Sequence, residues 1–359
     1  MSTLRVDAIR HNSATSDAIT TAADGTCTAK LTSVGGGQLS NRNLIINGAM
    51  QVAQRGTSAT GLTSGGYQVL DRWNLAQNQG TVSLTQSTDA PDGFGFSYKV
   101  DVTTAASSLN ANAYFYPRTL LEGQDLQAFA KGTSSAKEFT ISFYAKSTKT
   151  GQYTVQLYDM DNNRGCSKSY TISNTNWNKY TLTFPADTTG TFDNDNVASL
   201  FIQFILAVGS DRSSGTLQTT WATNVNANQA AGNVNFLDNT ANDFYFTGVQ
   251  LEVGSVATDF EHRSFGQELA LCQRYYHKMT GSQNKLILFN DYNNATNNFW
   301  ANVYLPTTMR AAPTLTATGI SGGDSLDSSS TSIHLMSLQT SDGAKYIGNG
   351  TVIEANAEL

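Results

Sequence analysis

Charge is scarce in this sequence. Asp, Glu, Lys and Arg make up 14% of its 359 residues, where about 25% is usual for soluble globular chains. The net charge is −6 and no run of Lys or Arg occurs. A nucleic-acid partner, which needs cations gathered against phosphate, is therefore not expected. Long apolar runs are also missing: no stretch of 18 or more apolar residues could span a membrane as a helix. The opening MSTLRVDAIRHNSATSDAITT lacks the apolar core of a secretory signal, which gives the expectation of an intracellular origin. Cys27, Cys166 and Cys272 are odd in number and widely spaced, so they read as free or buried thiols, with neither a disulfide framework nor a zinc site. No fixed-period repeat appears, which argues against a β-helix or a propeller.

In place of charge the chain carries Asn, Thr, Ser, Gly and Gln. It also has 17 Phe, 15 Tyr and 4 Trp, enough apolar material for a core. The pattern from Asn43 is one of short alternating runs separated by turn residues, the signature of an all-β sandwich. Phe139, Ile141, Phe143 and Ala145 share one face, and Thr140, Ser142, Tyr144 and Lys146 the other. Tyr153, Val155 and Leu157 are inward, leaving Gln156 and Tyr158 opposite; Tyr180, Leu182 and Phe184 alternate with Lys179, Thr181 and Thr183. Leu200–Val208 is nearly all apolar, as a strand covered on both faces would be. Trp73 and Trp177 abut such strands and read as core.

One clear helix is expected. Ser264 and Gln267 fit a capping box, and Phe265, Leu269, Cys272, Tyr276 and Met279 form one apolar stripe. Beyond it β signals return. Lys285–Phe289 and Phe299–Leu305 read as strands, 319–331 as a polar loop, and Gly348-Asn349-Gly350 as a hairpin turn between Lys345–Ile347 and Thr351–Ile353. Four segments follow: 1–42, Ser/Thr/Ala/Gly-rich and too poor in apolar positions for a core of its own; 43–262, the sandwich; 263–280, a helical junction; 281–359, a smaller distal β domain. The fold class is all-β, a β-sandwich plus a distal β domain joined by one short amphipathic helix, behind an extended N-terminal segment.

Two resemblances overlap on these residues. Phe139–Lys146, Trp177–Phe184 and Phe244–Glu252 occur in the order seen in jelly-roll carbohydrate-binding modules, and Asn43–Met50 resembles those modules' first strand. Asn43–Met50 with Gln54-Arg55-Gly56 and Tyr67–Trp73 also resembles the module start of bacteriophage tail-fibre and virion proteins. Phe260–Tyr276 resembles the helical junction of those proteins, Leu305–Thr314 a phrase of their distal β domains, and Asn356–Leu359 their C-termini. The opening MSTLRVDAI is similar to their virion-attachment segments. The resemblance implies a homotrimer assembled in the host cytoplasm, docked on other virion proteins through residues 1–42 and contacting host surface glycans.

Sugars offer C–H faces to aromatic rings and hydroxyls to amides. Tyr144, Gln156, Tyr158 and Gln203, placed on an outer face by alternation, are the candidate glycan platform, with Trp221 in a polar loop and the Tyr114/Tyr116 pair as further candidates. The alternative is that these residues cover a subunit or domain surface, as in a purely structural connector, head fibre or decoration protein. Asp159–Gly165 imitates an EF-hand start but has Arg164 where glycine is needed, and reads as a tight hairpin. The carbohydrate-binding family's structural calcium would fall to Asp243 and Glu252, although Thr247-Gly248 replaces its usual aspartates. No other cofactor is expected. A polysaccharide depolymerase would need two carboxylates about 5–10 Å apart. Glu122/Asp125, Asp193/Asp195 and Glu138 exist, all in turn-like or polar segments. The four histidines are scattered, Cys272 and His277 point in different directions on a helix, and neither G-x-S-x-G nor H-E-x-x-H occurs. A non-catalytic role is expected.

Overall fold

The computed structural model describes residues 8–10, 12, 19–23, 27–29, 40–280, 291–293, 298–318, 325–329, 331–338 and 352–359. Two antiparallel sheets face each other across an aromatic core. The first runs Asn178–Phe184, Phe139–Ser147, Asp243–Val253, Ser97–Thr104, Thr81–Ser87 and Ser58–Leu62. The second runs Ala222–Thr223, Arg164–Ile172, Gly151–Asp159, Ala198–Ile205, Tyr114–Glu122, Asn74–Gln77 and Gly66–Tyr67, with Ala207–Val208 as an eighth strand beside Tyr114–Glu122. The all-β sandwich expected from alternation is present. Phe139, Ile141, Phe143, Ala145, Tyr153, Val155 and Leu157 are all fully buried between the sheets. At the centre Trp73 meets Phe246 edge-on at 5.0 Å, and Phe204 lies 5.0 Å from both Phe143 and Phe246. Such pairs add about 0.5–1.5 kcal/mol each beyond the area they bury.

The Asn43–Met50 segment is not the regular first strand expected. It is tied beside Asp243–Val253 by bonds from Leu44 N to Leu251 O (3.0 Å) and from Val249 N to Gly48 O (2.9 Å). Left-handed backbone at Asn47 (φ 58) and Met50 (φ 57) breaks it. Glycine is required at 48, where a Cβ would lie 2.1 Å from the Val249 carbonyl oxygen. The Asn47 side chain closes the turn, donating to Val52 O and Asp71 O and accepting from Val52 N.

The helix is shorter than its stripe. It spans Phe265–Gln273 with the capping box formed by Ser264 and Gln267. Tyr276 and Met279 instead lie in a strand, Tyr276–Thr280, paired with Val352–Asn356, and Phe265 is 56% exposed. Aromatic Tyr275 and Tyr276 favour a pleated surface, and here the distal strand supplies a sheet partner. Thr314–Thr318 completes that three-stranded sheet; Asp291–Asn293, Asn298–Tyr304, Ser332–Leu338 and Ser325–Ser328 form a four-stranded one. The last of these falls within 319–331, so that segment is not wholly a loop. The expected Lys285–Phe289 strand and the hairpin around 348–350 lie outside the described residues. The N-terminal segment is not simply extended: Ala8–Ile9, Ile19–Thr21 and Cys27–Ala29 pair as a small antiparallel sheet.

Sandwich, helix and distal sheet meet at one polar junction. Arg72, 1% exposed, is held by Glu358, by Leu120 O at 2.5 Å and by the Tyr275 ring 3.5 Å from its guanidinium carbon. Arg55 reaches Glu358 at 3.2 Å and lies over Tyr276 at 3.6 Å. Arg310 donates to Ala357 O, Glu358 O and Asn196 O, and Arg274 clamps Glu122 with two bonds of 2.9 and 2.8 Å. The same junction buries Asp71, whose carboxyl is pushed up to about 6 by burial, with hydrogen bonds from Gln54 opposing. Its folded value lies above its unfolded 3.8, so its contribution to stability is full below that value and lost as pH rises through 6. The stability difference between wild type and Asp71→Asn should therefore fall by roughly 2 kcal/mol from pH ~4 to pH ~7. Urea denaturation across that range checks it; a difference independent of pH contradicts it.

Candidate functional site

The outer face of the eight-stranded sheet carries a groove of about 210 Å³, lined by Tyr116, Arg118, Gln156, Tyr158, Phe201, Gln203, Arg212, Asn224, Asn226 and Gln229. Strand register builds it. Gln156 pairs with Gln203, Gln203 with Arg118, and Arg118 with Asn74, a polar row across four strands. In the adjacent row Tyr158 pairs with Phe201, their rings meeting edge-on at 5.9 Å. Same-face neighbours across a sheet lie close enough to pack, so each row is a continuous ridge. Tyr114 and Tyr116, 5.6 Å apart, extend the aromatic surface at one end.

A loop folded over the sheet supplies the far wall. Gln229 donates to Gln156 Oε1 (2.6 Å) and Gln203 Oε1 (3.0 Å), and Arg212 donates to Gln229 Oε1 at 2.8 Å. Gln156 donates in turn to Asn224 Oδ1 at 3.1 Å. Gln156, Gln203 and Gln229 are therefore nearly fully buried. They form a floor whose amides hold one another and leave Tyr158, Phe201, Arg118 and Arg212 half-buried above it. A satisfied buried network of this kind fixes shape at little cost.

Of the seven residues the sequence offers as glycan candidates, the structure gathers Gln156, Tyr158, Gln203 and Tyr116 at the groove, with Tyr114 beside Tyr116. Tyr144 is on the wrong sheet. It points outward from the six-stranded sheet, packed on Phe94 at 5.4 Å in a cluster with Phe260 and His262. Alternation assigned it an outer face, but the chain crosses between sheets after Ser147, so the two outer faces are opposite sides of the molecule. Trp221 is a core residue, 8% exposed, with its N–H donated to Pro185 O and its ring 5.5 Å from Phe139. Conversely Trp177 is not core. It sits half-buried on the outer face of the six-stranded sheet, donates to Asp89 at 3.1 Å and lies 5.3 Å from the Lys146 ammonium.

Phe201, Arg118 and Arg212 were missed. The signal for Phe201 was its parity with Gln203: Leu200, Ile202 and Phe204 point into the core, so Phe201 must face out. The run is covered on both faces from Ile202 to Val208, Gln203 by the loop residue Gln229 and Ile205 by Ala76, Tyr116, Val208 and Ala230, while Phe201 stays half-buried. Arg212 lies in a four-residue helical turn within the loop, and nothing in local sequence places it.

Asp243 and Glu252 do not share an ion. They stand at opposite ends of one strand, about 30 Å apart at 3.3 Å per residue. Asp243 pairs with Lys99 at 3.1 Å, and buried Glu252 accepts from Gln250, Thr258 N and Thr258 Oγ1. Among the described residues no group of three or more His, Cys, Asp or Glu could hold a metal. Asp159–Gly165 is the expected hairpin, Asp159 accepting from Asn162. Cys166 and Cys272 are buried free thiols, pushed up by burial, Cys166 to about 12. Glu122 is committed to Arg274; burial pushes its carboxyl up, but Arg274 and its other donors outweigh this and hold it below its usual value. Asp125 is raised by burial and by Glu122. Neither they nor Asp193, Asp195 and Glu138 line the groove.

No family model matches the chain, and no curated protein matches it. Similar solved structures include a CBM4 (12% identical, TM-score 0.29, covering 58% of this chain and 97% of that one). A second is TmCBM61 in complex with β-1,4-galactotriose (9%, 0.32, 59% and 99%). A third is a family 11 carbohydrate-binding module from Clostridium thermocellum with a β-1,3-1,4-mixed-linked tetrasaccharide (16%, 0.29, 57% and 98%).

Proposed function

We propose that this chain is a non-catalytic glycan-binding component of a bacteriophage fibre, which contacts host surface polysaccharide through the groove on the eight-stranded sheet. The observation that carries the reading is the alignment of half-buried Tyr158 and Phe201 beside a pre-bonded amide floor. Aromatic faces for sugar C–H surfaces stand next to polar groups already held in place, so little ordering is needed on binding. The phage assignment is supported by the sequence resemblance, whose phrases around Arg55, Tyr67–Trp73, Phe260–Tyr276, Leu305–Thr314 and Asn356–Leu359 converge on the junction between sandwich and distal sheet. In a trimer three such grooves would bind together, and weak single sites would become productive through avidity.

Binding of labelled protein to host cells and to their purified surface polysaccharide, with polymer length followed, tests this. Saturable binding without shortening is expected. No binding by the folded protein leaves a structural virion part, and shortened polymer makes it a depolymerase. Phe201→Ala, which removes one stacking ring without touching the amide floor, should weaken binding to that polysaccharide about tenfold, or ~1.4 kcal/mol. Unchanged affinity by titration calorimetry would move the site elsewhere.

A further inference from the structure

We propose that the groove selects glycans bearing an acidic group, a carboxylate or a sulfate, and that Arg118 and Arg212 make the selection; this rests on the glycan-binding reading above. Arg55, Arg72, Arg164, Arg263 and Arg274 each face a carboxylate. Arg118 and Arg212 do not. Among the described residues each is instead held by a neutral amide oxygen, Arg118 by Asn74 Oδ1 at 3.0 Å and Arg212 by Gln229 Oε1 at 2.8 Å. Each also lies against a ring: the guanidinium carbon of Arg118 is 5.0 Å from Phe201 and that of Arg212 is 5.3 Å from Tyr114.

These contacts hold both guanidinium groups in place without neutralising them. A guanidinium has five N–H donors in a planar fork, and each of these two spends few of them inside the protein. Both line the same groove, and no carboxylate shares that lining. Both also act on the Tyr116 hydroxyl, which burial nonetheless holds above its usual value. In a chain of net charge −6, two uncompensated cations over one groove are a local reversal of sign. Such a site attracts an anion from solution and then holds it by charge-assisted, bidentate hydrogen bonds. A neutral sugar gains only the aromatic face and the amides; an acidic one gains both forks as well.

Affinity electrophoresis of the full chain through alginate, carboxyl-reduced alginate, dextran sulfate and unsubstituted dextran tests the inference. At least one acidic polymer should retard the wild type about tenfold more strongly than its neutral counterpart. Alginate alone would identify a carboxylate and dextran sulfate alone a sulfate. Arg118→Gln and Arg212→Gln should each remove most of that excess, so that acidic and neutral polymers retard the variant to nearly the same extent, and added salt should erode the excess of the wild type. Equal retardation by acidic and neutral polymers would overturn acid selection and leave the glycan groove standing. Acid-dependent retardation that both variants keep, or retardation by none of the four polymers, would also overturn it.

Discussion

Replacing Lys131 with methionine should lower the free energy of unfolding by about 3–5 kcal/mol. The Lys131 ammonium is fully buried and surrounded by oxygens: Asp159 Oδ2 and Gly190 O at 2.6 Å, Thr189 O at 3.0 Å and Asp187 Oδ2 at 3.1 Å. It knits the Asp159 hairpin to the 187–192 loop, and the rings of Phe192 and Trp221 lie within 5.5 Å of it. Methionine matches its stem in length but strands two carboxylates without their shared cation. Burial pushes Asp187 up, and Arg164 with Lys131 outweighs this to hold it below its usual value. The stability it contributes is present above its unfolded pKa and lost as pH falls through the folded one. The deficit of Lys131→Met should therefore be largest at neutral pH and shrink as pH falls, because protonation removes the stranded charge. Asp159→Asn added to Lys131→Met should recover part of the loss, since the coupling is mutual. Urea denaturation of the single and double variants decides it; a loss under ~1 kcal/mol for Lys131→Met would show that the loop is held by packing alone.

Glu358→Gln should have an effect of similar size, about 3–5 kcal/mol, but placed differently. Burial alone would favour loss of the Arg72 proton, and the adjacent Glu358 carboxylate more than compensates. With a neutral amide in place of that carboxylate, the guanidinium keeps, among the described residues, Leu120 O and the Tyr275 ring as strong partners, and Arg55 keeps Asp71 at 3.5 Å. Because Glu358 follows the Val352–Asn356 strand, its loss should release the distal three-stranded sheet before the sandwich. Hydrogen exchange should show amides of Tyr276–Thr280 and Val352–Asn356 opening early, while Phe139–Ser147 stays protected. Uniform loss of protection would contradict this order.

The inward residues of the sandwich were legible because burial on one face forces a period of two. What alternation cannot report is which sheet a strand joins. Tyr144 and Tyr158 belong to consecutive strands with the same in–out pattern, and one crossover sends them to opposite sides. Trp177 was decidable: it shares parity with outward Lys179, not with inward Tyr180. Trp221 was not, because its burial depends on a polar loop returning over the sandwich edge, a long-range event with no local signature. The helix was over-read for a related reason. The spacing of Tyr276 and Met279 continues a helical stripe, but strand pairing with Val352–Asn356, about 75 residues away in sequence, captures them. The candidate groove was half visible: its glutamine floor and Tyr158 followed from alternation, whereas Arg212, Asn224 and Gln229 come from the loop that covers it.

The most direct test of the account compares Tyr158→Ala with Tyr144→Ala for binding to one surface polysaccharide of the host by titration calorimetry. Both are outward aromatics, but only Tyr158 lines the groove. Tyr158→Ala should weaken binding about tenfold or more while Tyr144→Ala binds as the wild type does. The reverse pattern would contradict the account and move recognition to the six-stranded sheet.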